Sequence, residues 1–158
     1  MIKAWSWMIL DLLRNHSRTF MALDCGEEVQ QFLDSDIVVI GAGFYNFSIP
    51  SQLKAWIDRI AVRGKTFGYG ENGPVGLAKG KRVIIALARG NVYSDGSPFA
   101  PYEHAETLLR SVFGFVGAEV EVIVAEGVGR GDEARRDAID TALAQASGLD
   151  RAPVVQAA

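Results

Sequence analysis

Three short runs of apolar, largely β-branched residues recur along the chain, at 37–40, 83–87 and 120–125, and each gives way to a loop and then to apolar positions at helical spacing. The first two runs are nearly continuous, the pattern of strands covered on both faces as in a parallel sheet. Leu53, Trp56, Ile57, Ile60 and Ala61 share one helical face, which predicts a helix over about 50–62 with Ser48 in capping range. Similar spacing predicts helices over about 102–114 and 132–146, the last opened by Asp132 as a cap. The order βαβαβα specifies an α/β domain, a doubly wound parallel sheet with right-handed crossovers.

The first strand, 36–40, leads through Gly41-Ala42-Gly43 into Phe44-Tyr45-Asn46-Phe47, a loop rich in aromatic and amide groups. It lies at the carboxyl end of a parallel strand, where ligands of this architecture bind. Ala88-Arg89-Gly90-Asn91-Val92-Tyr93 follows the second strand in the same way. A flat heteroaromatic ligand would suit two such loops, with backbone N–H groups along its edge and Tyr45 or Phe47 on a face. Ordinary turns with a solvated arginine are the competing account. Residues 64–80 carry many glycines around Phe67 and Tyr69 and read as an ordered surface loop. Residues 4–13 and 27–33 have helical character, and nothing before Asp36 leads a strand into a phosphate-binding turn. One edge of a three-stranded sheet is then bare unless the N-terminal segment or another chain covers it.

At 158 residues and 49% hydrophobic, the chain is long enough for one sizeable core and too short for two ordinary domains. The formal net charge of −3 and the lack of a basic run interleaved with aromatics argue against a nucleic-acid partner. Cys25 is the single cysteine, so there is no disulfide framework and no cysteine-built metal site. Asp11 and Arg14 interrupt the apolar opening, which argues against a signal peptide or a membrane span, and the chain reads as cytoplasmic.

Gly41-Ala42-Gly43 invites a dinucleotide-binding reading, but Asn46 stands where the third glycine belongs, and Gly127-Val128-Gly129-Arg130-Gly131 fails similarly at Asp132. There is no P-loop and no G-x-S-x-G elbow, and His16 and His104 have no second ligand at helical spacing.

The run Tyr45-Asn46-Phe47-Ser48-Ile49-Pro50-Ser51-Gln52-Leu53-Lys54 resembles the signature of the FMN-dependent NADH-azoreductases, also described as NADH:quinone oxidoreductases. Phe67, Tyr69-Gly70-Glu71-Asn72-Gly73-Pro74, Arg89-Gly90 and Phe113-Gly114-Phe115-Val116-Gly117 extend the likeness from about Asp36 to about Gly131. The resemblance implies a flavodoxin-like fold, with Phe44, Tyr45, Asn46 and Phe47 along the FMN ring edge and Ala88, Arg89, Gly90 and Asn91 at its pyrimidine side. It implies Tyr69, Tyr93 and Phe115 near the ring face where nicotinamide and acceptor alternate, and a homodimer with the sites at its interface. The implied reaction passes hydride from NADH through the flavin to a quinone or azo compound by a ping-pong mechanism, with no side chain required as acid or base.

Two features depart from the family. Gly43-Phe44, Ala88 and Asn91 differ from the usual residues, where main-chain bonds are expected to carry the contact. The family's opening strand, serine-rich phosphate-binding loop and helix have no counterpart in residues 1–35. The expectation is therefore a flavodoxin-like sheet that is N-terminally incomplete: a divergent or truncated segment over 1–35, the FMN-binding domain over 36–147 and a tail over 148–158. A catalytically inactive homologue that only dimerises or binds is the alternative.

Overall fold

The structure, a computed structural model, describes residues 27–149. In chain order its elements are α1 (Glu27–Asp34), β1 (Ile37–Gly43), α2 (Ser51–Ile60), β2 (Phe67–Gly70), β3 (Gly73–Gly76), β4 (Arg82–Arg89), a 3-10 turn (Ala100–Tyr102), α3 (Ala105–Phe115), β5 (Glu119–Glu126) and α4 (Asp132–Leu149). Strands β1, β4 and β5 form a parallel sheet in that spatial order, with Ile37 opposite Arg82 and Arg82 opposite Glu119.

Alternation along the strands divides the core into two layers. Ile40, Ala42, Val83, Ile85 and Leu87 face Phe32, Ile57, Ile60, Leu109 and Phe113 from α1, α2 and α3. On the opposite face, Ile84, Ile123 and Ala125 pack against Ala142 and Ala146 of α4. Helices thus cover both faces, and the α/β expectation of a doubly wound sheet holds. The uninterrupted apolar run in β4 follows from its central place, since no residue between Val83 and Leu87 faces water.

Polar groups secure the ends of the elements. Glu28, only 1% exposed, pairs with Arg59 of α2 at 2.7 Å. The Lys81 ammonium donates to the carbonyls of Leu33 and Ser35, closing the end of α1. Burial holds the Lys81 pKa below the ordinary lysine value, partly opposed by Asp36 and Asp34.

Several boundaries differ from the sequence expectation. Gly41-Ala42-Gly43 does not release the chain: β1 runs to Gly43, paired through to Ala88, and Ala42 is buried. Ala42 packs into the helix-covered core, and Gly43 leaves room for the Tyr45 ring. Helix α2 begins at Ser51 behind Pro50 with no side-chain cap, so Ser48 does not cap it. Helix α3 begins at Ala105, and its first amides are held by the Glu103 carboxylate, which accepts from Ala105, Glu106 and Thr107. Asp132 is the first helical residue of α4, whereas the Gly131 carbonyl receives the first helical bond, from Arg135. The aspartate therefore contributes charge to the first turn and does not cap it.

The glycine-rich segment is a β-hairpin. Strands β2 and β3 pair antiparallel from Phe67 opposite Gly76 to Gly70 opposite Gly73. Thr66, fully buried, joins it to α2 by donating to the Ile60 carbonyl and accepting from the Val62 N–H. Among the described residues β1 pairs on one side only, with β4. Of the segment expected over 1–35 and the tail expected over 148–158, residues 1–26 and 150–158 lie outside the described residues, and α4 runs on to Leu149.

Candidate functional site

Strands β1 and β4 end side by side, with Gly43 opposite Ala88 and the Phe44 N–H donating to the Ala88 carbonyl at 2.9 Å. Beyond β1 the chain reverses in a two-residue turn, in which Tyr45 and Ser48 exchange backbone hydrogen bonds of 2.9 Å in both directions. Its corner residues Asn46 and Phe47 have φ of 46° and 70°. This is the backbone of a type I′ turn, for which Asn-Gly is the favoured pair, so phenylalanine at the second corner is strained. Outside contacts hold it there: the Phe47 carbonyl accepts from the His104 N–H at 3.0 Å, and the Phe47 and Tyr102 rings lie 5.3 Å apart. The Tyr45 ring folds over Gly43, where a Cβ would come within 2.8 Å of Cε2.

The loop after β4 is built differently. Arg89, 3% exposed, turns its guanidinium inward to Glu106 at 2.6 Å, Glu103 at 3.2 Å and Glu126 at 3.3 Å. It is therefore not the solvated arginine of the competing sequence account: its two terminal nitrogens are engaged within the protein, and its Nε is buried with no hydrogen-bond partner among the described residues. What Arg89 can offer a ligand is main chain. Glu126 also accepts from the Tyr93 N–H at 2.6 Å. Burial alone pushes the Glu126 carboxyl up, but the Ser94 hydroxyl, the Tyr93 N–H and Arg89 outweigh it and hold it below the ordinary carboxylate value. The Tyr93 ring returns to the first loop, 4.5 Å from Phe44, with Phe99 beyond it at 6.0 Å.

Among the described residues, the backbone N–H groups of Asn46, Phe47, Gly90 and Asn91 donate to no other group. A Cβ on Gly90 would meet nothing within 4 Å, so that strip of backbone is open to close approach. A cleft of about 860 Å³ opens on the first loop, lined by Gly43, Tyr45, Asn46, Ser48 and the start of α2. Unpaired main-chain donors beside exposed aromatic faces fit the acceptor-bearing edge of a flat heteroaromatic ring. A second cleft, of about 830 Å³, lies behind Arg89 and is lined by Glu103, Glu106 and Glu126. The carboxylates of these three glutamates are engaged with Arg89 and with backbone amides, so this side of the cleft buttresses the loop.

Tyr69 and Phe115 form a separate cluster. Phe67 stands between them, 6.0 Å from Tyr69 and 4.8 Å from Phe115, and the Arg63 guanidinium lies 5.3 Å from the centre of the Tyr69 ring. Both outer rings are exposed. Among the described residues no ring contact joins this cluster to Phe44 and Tyr93 or to Phe47 and Tyr102. No group of side chains that could hold a metal ion occurs among the described residues, and none of their helices is long and apolar enough to cross a membrane. Sequence reasoning missed Glu103 and Glu126. A glutamate ending a strand or preceding a helix has no distinguishing local pattern, and only the buried guanidinium between them reveals the role.

The profile of a family described as flavodoxin-like fold matches residues 4–149. The FMN-dependent NADH:quinone oxidoreductase of Stenotrophomonas maltophilia is 60% identical over 124 residues, which cover 78% of this chain and 62% of that protein. The azoreductase of Bacillus anthracis strain Sterne superposes with a TM-score of 0.76 at 27% identity, over 93% of this chain and 87% of its own. An FMN-dependent NADH-azoreductase of Bacillus anthracis, solved in complex with FMN, superposes with a TM-score of 0.70 at 32% identity, over 79% and 61% of the two chains. The chain spans about three-fifths of the length of the curated relatives it matches.

Proposed function

This chain belongs to the flavodoxin-like family, and from that premise we propose that it binds FMN and acts as an oxidoreductase that passes hydride from NADH to a quinone or an azo compound. The observation that carries the proposal is the row of unpaired amides at Asn46, Phe47, Gly90 and Asn91, set where two neighbouring parallel strands end. A ring edge bearing carbonyl and ring-nitrogen acceptors pairs with such donors without any charged side chain. The high identity to FMN-dependent NADH:quinone oxidoreductases and the likeness to an FMN-bound azoreductase support the same cofactor and donor.

Bound FMN would supply the hydride chemistry, and the protein the orientation. The first loop offers Phe44 and Tyr45 as ring contacts and Asn46 and Phe47 as donors, while Ala88, Arg89, Gly90 and Asn91 offer main chain from the second. Tyr93 borders the same space through its contact with Phe44. NADH and the acceptor would take turns at one exposed face, which is a ping-pong scheme. Tyr69 and Phe115 stand apart within one chain, so their place beside that face is read in a homodimer, where a second copy brings one cluster to the other.

The test is a titration of the purified chain with FMN, followed by NADH oxidation with a quinone at saturating flavin. Saturable quenching of flavin fluorescence and quinone-dependent turnover are the expected results. A chain that leaves flavin fluorescence unchanged overturns the proposal, and binding without turnover reduces it to a flavin-binding module.

A further inference from the structure

We propose that Glu126 is a positioning residue for the ring edge of this site: by holding Arg89 and Tyr93 at once, it fixes the path of residues 89–93 and aims the Gly90 and Asn91 amides. The inference rests on the flavin-binding reading above and assigns the part of the protein that makes the edge rigid.

Glu126 is the last residue of β5, and its carboxylate receives the Arg89 guanidinium at 3.3 Å and the Tyr93 N–H at 2.6 Å. Arg89 precedes Gly90, and Tyr93 closes the loop, so both ends of the short span 90–92 are tied to one side chain. The main chain behind it is tied as well. The Arg89 carbonyl accepts from Gly127 at 2.9 Å and from Val128 at 3.1 Å, the Gly90 carbonyl accepts from Gly129 at 2.9 Å, and the Asn91 carbonyl accepts from Gly127 at 3.3 Å. In a trans peptide the carbonyl of one residue and the N–H of the next point in opposite directions. With three successive carbonyls turned back onto residues 127–129, the N–H groups of Gly90, Asn91 and Val92 turn forward, away from β5.

The close approach requires glycine at one position. A Cβ on residue 129 would lie 2.9 Å from the Gly90 oxygen, against backbone that cannot step aside. Gly127-Val128-Gly129, which imitates part of a phosphate-binding turn in sequence, is therefore the back-plate of the loop after β4.

The proposal is tested on the full chain with Glu126→Ala, Glu126→Gln and Gly129→Ala, each first shown to keep the wild-type circular dichroism spectrum. Glu126→Ala is expected to weaken binding of FMN and of riboflavin, which lacks the phosphate, by the same factor of roughly 10- to 100-fold, the worth of two misaligned hydrogen bonds. Glu126→Gln keeps an acceptor for Tyr93 and loses the charge that holds Arg89, so its effect should fall between. In flavin-free protein, the hydrogen-bonded amides of Tyr93 and of 127–129 should exchange faster in Glu126→Ala, while those of α1 and α2 stay unchanged. Wild-type binding retained in Glu126→Ala, or unaltered exchange at Tyr93 and 127–129, overturns the inference and leaves the flavin-binding reading standing. A wild-type chain that takes up neither flavin overturns both, on the wild-type titration alone.

Discussion

Gly76 and Gly117 meet backbone to backbone: a Cβ on Gly76 would stand 2.4 Å from the Gly117 nitrogen and 2.5 Å from the Val116 carbonyl carbon. The adjoining Ala78 N–H donates to the Val116 carbonyl at 2.8 Å. These contacts seat the β2–β3 hairpin on the end of α3 and put Phe67 between Tyr69 and Phe115.

Gly76→Ala should therefore act as an overpacking change, lowering stability by about 1–3 kcal/mol. The obstacle is main chain, so no side-chain rotation relieves it. A shifted urea midpoint together with altered tyrosine fluorescence is the expected result. An unchanged midpoint would show that the hairpin is free to lift from α3.

Phe113 is fully buried and lies 6.2 Å from the Trp56 ring and 6.3 Å from the Phe32 ring, where α1, α2 and α3 converge. Phe113→Ala should lower stability by about 3–5 kcal/mol, the range for losing a large aromatic side chain from a close-packed core. Denaturant titration measures it. A loss below about 1 kcal/mol would mean that this layer is not packed as described.

Phe47 occupies a backbone region that L-residues visit at an expense of roughly 1–3 kcal/mol. Phe47→Gly removes that strain, adds chain entropy to the unfolded state by about 0.5–1 kcal/mol, and loses a ring pair worth about 0.5–1.5 kcal/mol. The effects nearly cancel. The expected outcome is a melting temperature within a few degrees of the wild type and weaker flavin binding by fluorescence titration, which separates the turn's role in folding from its role at the site.

Glu126 has a folded-state pKa below its ordinary value of 4.5. A depressed carboxylate contributes stability that is fully present above the unfolded value and is lost as pH falls through the folded one. The contribution of Glu126 should thus be flat at neutral pH and decline below about 4.5. Glu126→Gln should be less stable than wild type at pH 7, and the difference should narrow as the pH is lowered. Parallel denaturation midpoints for the two proteins at all pH values would contradict this assignment.

The sheet was legible because its three strands are apolar runs that helices cover, and the helices because their buried residues recur on one face. Glycines disclose their roles less plainly. In Gly41-Ala42-Gly43 the small residues continue a paired strand, and in 67–76 they serve a hairpin whose pairing is carried by backbone with little β-branched alternation. Sequence patterns report side chains, and both segments are determined by main chain. The same reason explains Ser48: its hydroxyl suggested a cap, whereas its backbone closes the turn around Asn46 and Phe47. The loops at the ends of β1 and β4 could be singled out by composition, but the inward course of Arg89 could not. It depends on Glu103, Glu106 and Glu126, which are distant in sequence and come together only when α3 and β5 flank β4.

A recognition edge made of peptide groups has a consequence for how such a protein can change. Truncating side chains one at a time across 44–47 and 88–91 leaves every N–H in place, so an alanine scan there would under-report what the edge contributes. The substitutions that reach it are indirect: a cavity behind Arg89, a methyl group at residue 129, a relaxed corner at residue 47. Inherited variation in ligand preference should accordingly gather in the scaffold around the edge, at positions that touch no ligand.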